Sequence, residues 1–151
     1  MQALDYLDGV DPFEHVDVTT AAAFERTAPS AGLTKSNTIT SYVEIARRRS
    51  TGELEIVGWA FDREETGNPV SIYIFMSGRL VLRAEAKGRR KDVEAVAVPP
   101  LSPVIAANMS VTGTSTIKVS CDIEKPAIAV SVNRKRQFSI VNPSLRVAGC
   151  N

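Results

Sequence analysis

The stretch over residues 58–92 decides the fold of this chain. It reads Gly58-Trp59-Ala60-Phe61-Asp62, an acidic turn over 63–68, Pro69-Val70-Ser71-Ile72-Tyr73-Ile74-Phe75-Met76, Ser77-Gly78, Arg79-Leu80-Val81-Leu82-Arg83-Ala84-Glu85-Ala86, and then a basic segment that ends at Asp92. Two apolar runs of strand length joined by Ser-Gly predict a β-hairpin, which follows an earlier strand that contains the only tryptophan. Residues 71–76 are apolar on both faces, so we expect a central strand with Phe75 in the core.

The flanking segments continue the strand pattern. Upstream, residues 39–45 alternate with period two, and residues 53–61 form a second strand in which Gly58 predicts a bulge or a close backbone approach. Downstream, residues 88–96 predict a loop with a short helical turn. The last three strands are predicted over 116–122, 127–133 and 137–141. About seven short strands without a long amphipathic helix predict an all-β fold, an antiparallel two-sheet β-sandwich of Ig-like or jelly-roll-like type.

The N-terminal segment does not share this pattern. A helical turn is predicted over 19–26, with Thr19 or Thr20 as the N-cap, and two proline-containing stretches interrupt any longer element. The segment is too apolar for a simple linker, so we expect it to lie on a surface, either its own domain or a partner. The predicted division is therefore an N-terminal arm over 1–37, partly helical or extended, a sandwich over 38–142 and a tail over 143–151.

Composition and charge fit an ordinary globular chain. Of 151 residues, 44% are hydrophobic and 23% charged, and the formal net charge is +1. The charge is uneven, because residues 1–35 carry six acids and two bases. No apolar window approaches the ~20 residues of a membrane span, and the N-terminus lacks the features of a signal peptide. We therefore expect no membrane span and synthesis in the cytoplasm, with any incorporation into a virion or surface assembly following another route.

The two cysteines are too few for a disulfide scaffold. Cys121 continues the alternation of Ile117 and Val119, which predicts a small hydrophobe facing the core. Cys150 is the penultimate residue. Its thiol is predicted either to stay idle or to pair with a neighbouring molecule.

Within the deciding stretch, a set of short motifs resembles a small bacterial β-sandwich module with the pattern GWA-x-D, PV, DG-x-x-V and A-x-x-x-R-x-DV. The matching residues are Gly58-Trp59-Ala60-Phe61-Asp62, Pro69-Val70, Ser77-Gly78-Arg79-Leu80, Ala84-Glu85-Ala86 and Arg90-Lys91-Asp92-Val93. The resemblance covers residues 52–95. The chain departs from it at Ser77, where Asp or Asn is usual, and in lacking the Gly-Phe strand after Met109. Such modules accompany glycosyltransferases and polysaccharide-related surface proteins, so the resemblance implies a sandwich with a non-catalytic binding or spacing role, towards a glycan.

No catalytic constellation is present in the sequence. His15 is the only histidine, and there is no Gly-rich phosphate loop and no paired-cysteine metal spacing. The acidic turn brings together Asp62, Glu64, Glu65 and Asn68, which could hold calcium, but it lacks the regular alternation of a dedicated loop, and a solvated turn is favoured. We therefore predict no enzyme activity, no cofactor and no metal.

Candidate ligand-binding residues are aromatic or basic. Trp59 is predicted to be core, with a sugar-stacking platform as the alternative, and Tyr42 and Tyr73 are candidates for exposed aromatics. Three basic clusters follow strand ends, at 47–49, 87–91 and 134–136. If the three clusters converge in the fold, they would attract a polyanion. Nucleic-acid binding is disfavoured, because no aromatic residues are interleaved with the basic ones. The basic candidates are Arg47, Arg48, Arg90, Arg134 and Arg136.

Two functions follow from these features. The first is a non-catalytic binding module for a glycan or another surface polymer. The alternative is a structural assembly protein, such as a virion or surface-layer component or a head or tail decoration, which would be a homo-oligomer or bind other subunits. The candidate intersubunit residues are Leu4, Tyr6, Phe13, Phe24 and Cys150.

Overall fold

The computed structural model describes residues 13–64, 69–121, 127–142 and 145–149. Within them, the strands are β1 (Thr34–Lys35), β2 (Ile39–Arg48), β3 (Glu53–Asp62), β4 (Ser71–Met76), β5 (Arg79–Glu85), β6 (Ser110–Lys118), β7 (Ile128–Val132) and β8 (Gln137–Ile140). The helices are α1 (Ala21–Thr27), α2 (Lys91–Val96) and α3 (Pro103–Ala106). The predicted all-β, two-sheet sandwich is confirmed.

The two sheets differ in size. One has five strands in the order β1-β8-β7-β4-β5, and the other has three in the order β2-β3-β6. All pairs are antiparallel except β1 with β8. The main core lies between the sheets, where Leu54 and Ile56 of β3 face Ile72 and Ile74 of β4. Each such fully buried side chain stabilises the fold by roughly 1.5–3 kcal/mol.

Strand β4 is covered on both faces, as its sequence predicts. All six residues are buried. On the face away from the main core, Tyr73 and Phe75 pack against residues that precede β1, and Phe75 is 2% exposed. Residues 13–33 thus form a third layer over the five-stranded sheet.

The third layer is built around α1. Thr20 caps the helix, because its hydroxyl accepts a hydrogen bond from the Ala23 amide at 3.0 Å, so the predicted cap is confirmed. Phe24 is fully buried, and its ring centroid lies 5.1 Å from that of Phe138 in an edge-to-face contact. Phe13 contacts Tyr73 edge-to-face at 4.8 Å.

This packing corrects two of the intersubunit predictions. Phe13 and Phe24 were candidate intersubunit residues under the assembly alternative, but they are 5% and 0% exposed within a single chain. The prediction is wrong for both residues because the five-stranded sheet offers them an apolar face of its own. Leu4, Tyr6 and Cys150 lie outside the described residues.

Gly58 marks the close approach that the sequence predicts. A Cβ at this position would lie 2.3 Å from the Tyr42 carbonyl oxygen, so no larger residue fits without moving the backbone of β2. Opposite Gly58, the register of β2 shifts between Val43 and Ile45. The irregularity is thus on the partner strand, and Gly58 is the residue that accommodates it.

Strand β6 begins earlier than predicted. The prediction over 116–122 is wrong at both ends, because the strand begins at Ser110 and ends at Lys118. Gly113 and a run of threonines hide the alternation, yet a Cβ at Gly113 would lie 3.1 Å from the Ala84 Cβ, which shows that β6 packs tightly over β5.

Cys121 does not face the core. It is exposed and disulfide-bonded, so the prediction of a buried small hydrophobe is wrong. The chain's other cysteine, Cys150, falls in the predicted tail. Of that tail, residues 145–149 are described: Leu145 is buried, and the Ala148 amide donates to the Ala46 carbonyl at 2.8 Å.

Within the described ranges, none of the helices has the length and hydrophobicity needed to cross a bilayer.

Candidate functional site

The two motif stretches 58–62 and 90–93 meet on the outer face of the three-stranded sheet. Val57, Trp59 and Phe61 alternate with buried residues of β3 and so point away from the main core. The chain after β5 passes over this face and forms α2. Val93 of α2 packs with Trp59 against a small satellite cluster of Phe61, Ile105, Ala106 and Met109.

Arg90 fastens α2 to the sheet. Its guanidinium donates to both carboxylate oxygens of Glu44, at 2.7 and 2.9 Å, and to both of Asp92, at 2.9 and 2.7 Å. A further hydrogen bond of 3.2 Å reaches the Gly58 carbonyl. The Asp92 and Glu44 carboxylates raise the pKa of Arg90, and the hydrogen bonds from Arg90 lower the pKa of Asp92 to about 2. Arg90, predicted to bind ligand, therefore has its donors occupied within the fold.

Asp62 also has a structural role. The carboxylate is 4% exposed, accepts from the Asn133 side-chain amide at 2.8 Å and accepts from the Glu64 amide at 3.0 Å. It therefore ties the end of β3 to the turn between β7 and β8. The other two oxygen donors of the acidic turn, Glu65 and Asn68, lie outside the described residues. Among the residues that are described, no three His, Cys, Asp or Glu side chains are grouped as a metal site would require.

A groove separates the sheet from α2. Its cavity volume is about 410 Å³, and it is lined by Thr40, Trp59, Phe61, Arg63, Asp92, Val93, Val96, Ala97 and Val98. Trp59 and Phe61 are stacked, with ring centroids 5.8 Å apart and planes inclined by 22°. The Arg63 guanidinium lies 5.6 Å from the Phe61 centroid and donates to the Pro99 carbonyl at 3.0 Å.

Trp59 is half-buried in this groove. It was predicted to be core, and the core it joins is the satellite cluster, outside the space between the sheets. Tyr42 lies directly across from it on β2 and is 49% exposed. In the part of the chain that the structure describes, no hydrogen bond engages the Trp59 indole N–H or the Tyr42 hydroxyl. The pair therefore offers both aromatic surface and free polar atoms.

Tyr73 is not available to a ligand. It was predicted as an exposed aromatic, but it is fully buried under the third layer, and Arg83 donates to its hydroxyl at 3.2 Å. The prediction is wrong because the tyrosine faces the aromatic cluster that Phe13 and Phe24 complete.

The three basic clusters do not converge. Arg47 and Arg48 lie beside the start of β3, whereas Arg134 and Arg136 follow Asn133, which is bonded to the end of β3. The ten residues of β3 separate these two clusters by about 30 Å. The sandwich therefore has no single polyanion patch built from all three clusters.

The basic candidates also differ in whether their guanidinium groups are already engaged by other groups of the protein. Arg47 pairs with Glu55, Arg48 donates to the Val119 carbonyl at 2.7 Å, and Arg136 donates to the Ala31 carbonyl at 2.6 Å. Arg134 is exposed, and within the described residues its side chain makes no hydrogen bond or ion pair.

A second, polar depression lies on the other side of β6. It also measures about 410 Å³ and is lined by Arg83, Ala84, Glu85, Lys87, Ser110 and Thr112. The sequence interpretation missed Ser110 and Thr112 because it did not place β6 there. It also missed Val96 and Val98, which are 76% and 87% exposed. The sequence signal for them was a valine at the end of a short helix and a second valine directly before Pro99-Pro100.

Comparisons of the chain with protein-family models, curated proteins and solved structures gave no match.

Proposed function

We propose that this chain is a non-catalytic binding module that takes a glycan in the groove between the three-stranded sheet and α2. The observation that carries the proposal is the pairing of Trp59 and Tyr42 across two neighbouring strands, one half-buried and one 49% exposed. Small-ligand sites are concave and largely apolar with a few polar groups that fix orientation. The groove has this character, with Val93 and Phe61 among its apolar walls and Thr40, Arg63 and Asp92 as its polar lining residues.

The chemistry of the lining favours binding over reaction. Asp92 is the single carboxylate among the residues that line the groove, and Arg90 holds its pKa near 2. General acid–base catalysis of glycoside cleavage needs two carboxyl groups, one of them with a raised pKa. A pyranose ring can instead place its C–H groups on the exposed part of the indole, whose π face attracts them. The resemblance of residues 52–95 to a glycan-associated module agrees with this proposal.

The test is a glycan array followed by isothermal titration calorimetry of any glycan that binds. Truncating a central aromatic contact typically costs at least ~2 kcal/mol, so Trp59→Ala is expected to weaken binding about 30-fold or more. Tyr42→Ala is the second variant, because Tyr42 is 49% exposed and does not belong to the satellite cluster, so we expect its truncation to leave the fold intact. Ile117→Ala, at an exposed site towards the far end of β6, is the matched control. Glycan binding that neither aromatic substitution weakens would refute the groove as the site.

A structural assembly role is the second candidate, and the exposure of Val96 and Val98 favours it. Val96 and Val98 are two positions apart and are 76% and 87% exposed, and clustered exposed apolar side chains are typical of protein contact surfaces. In this case the occupant would be a second copy of the chain, related by a two-fold axis that brings the same patch of each copy together. Light scattering of wild-type protein and Val98→Asp distinguishes the two functions. A dimer that Val98→Asp dissociates would support assembly, and a monomer at all concentrations would contradict it.

A further inference from the structure

Four residues lie in a row that crosses the three-stranded sheet and continues beyond its edge. Tyr42 of β2 is paired with Trp59 of β3, and Trp59 is paired with Ser110 of β6. The Lys87 amide donates to the Ser110 carbonyl at 2.6 Å, which places Lys87 as the next neighbour in the same row. Neighbouring strands lie about 4.8 Å apart, so the row from Tyr42 to Lys87 spans roughly 14 Å.

The far end of this row is polar and basic. Lys87 and Ser110 line the polar depression with Thr112, and Lys87 and Thr112 are exposed. Within the described ranges, no hydrogen bond or ion pair engages the Lys87 ammonium or the hydroxyls of Ser110 and Thr112. A free ammonium beside free hydroxyls is the set of groups that an anionic, hydroxyl-rich ligand would bind.

The charge balance of the depression favours an anion. It contains two cationic groups, Arg83 and Lys87, and one carboxylate, Glu85. Arg83 lies 3.8 Å from Glu85 and also donates to Ser71 at 3.3 Å. Glu85 is therefore balanced by Arg83, and Lys87 remains as the uncompensated charge.

We infer that the glycan is acidic, and that one of its sugar carboxylates binds Lys87 while a neighbouring sugar stacks on Trp59. The inference rests on the proposed function and restricts its ligand to acidic glycans. Trp59 and Lys87 are two positions apart in the row, roughly 10 Å, so one extended ligand crossing the strands reaches both. Ser110 lies between them and offers its hydroxyl to the linking sugar.

The experiment compares acidic polysaccharides with their own uncharged forms. Polygalacturonate, alginate and hyaluronan are each titrated into the protein beside the same polymer after reduction of its carboxyl groups to alcohols. We expect at least one acidic form to bind about tenfold more tightly than its reduced form, because a hydrogen bond to a charged group contributes that much. The difference in affinity between the acidic and the reduced form should decrease as salt is added.

Lys87→Gln and Arg134→Gln are the matched variants, since each removes one exposed cation with no partner in the described chain. Lys87→Gln should reduce the affinity for the acidic form to that for the reduced form, and Arg134→Gln should change neither. Equal binding of both forms, with Trp59→Ala abolishing both, would overturn the acidic ligand and leave the glycan groove standing. Acidic binding that Lys87→Gln does not weaken would overturn the assignment to Lys87. No binding to these polymers or to any glycan of the array would overturn both proposals.

Discussion

Replacing Phe24 by alanine would measure how strongly the N-terminal layer stabilises a single chain. Phe24 is 0% exposed, and its ring centroid lies within about 6 Å of those of Phe13, Phe75 and Phe138. Truncation of a buried phenylalanine costs about 3–5 kcal/mol, because apolar burial is lost and a cavity remains. For a domain of this size, a loss of about 4 kcal/mol corresponds to a Tm lower by roughly 8–16 °C.

The assay is urea unfolding followed by circular dichroism and by fluorescence of Trp59, at two protein concentrations tenfold apart. The control is Arg26→Ala, because Arg26 lies on the exposed side of the same helix and its distance to Asp17 is 4.0 Å. An exposed pair of this kind contributes little, so the control should stay within about 0.5 kcal/mol of wild type. A loss below about 1 kcal/mol for Phe24→Ala would refute the intramolecular layer. So would a wild-type midpoint that rises with concentration, since that would mean a neighbouring chain supplies the packing.

Three further predictions concern single residues. Gly58→Ala should destabilise the protein by about 1–3 kcal/mol in the same urea assay, because its Cβ would lie 2.3 Å from the Tyr42 carbonyl oxygen; an unchanged midpoint would contradict this close approach. Cys121 should take up no iodoacetamide in unreduced protein, as measured by peptide mass spectrometry, because it is disulfide-bonded; labelling without reductant would contradict the bond. The pKa of Asp92 is lowered from 3.8 to about 2, so its ionised form stabilises the fold above pH 4, and this contribution is lost as the pH falls through 2. In Asp92→Asn, the free energy of unfolding should therefore depend less on pH between pH 4 and pH 2 than in the wild-type protein. An Asn variant with the same pH dependence as wild type would show that the pairing with Arg90 does not affect stability.

Local pattern predicted most of the strands. Strands β4 and β7 have apolar residues at every or nearly every position, and their bounds agree with the prediction to within about one residue. Strand β6 was misplaced because its outward positions are small hydroxyl residues and Gly113 interrupts the run. Gly113 is unfavourable in a strand, and the threonines, although good strand formers, show no apolar alternation, so the position of β6 depends on its pairing with β3 and its packing over β5.

The site depends on contacts that local pattern does not contain. Arg90 reaches Glu44 across 46 positions, and Asp62 reaches Asn133 across 71. The motif spacing identified Arg90 and Asp62 as special residues, but their partners depend on how the sheets pack. The same holds for Phe24, whose buried position depends on an aromatic face that β4, β7 and β8 assemble.

The covered side of the five-stranded sheet decides how this protein should be attached to a surface for measurement. Residues 13–33 lie against that sheet, on the side of the sandwich away from the groove. A tag joined ahead of Phe13 would attach the molecule from the side of the N-terminal layer, so that the groove faces the solution. Random coupling through amines would use exposed lysines, among them Lys87 of the polar depression and Lys91 of α2. Molecules coupled through Lys87 would have the row from Tyr42 to Lys87 blocked, so a biosensor prepared in that way would underestimate binding.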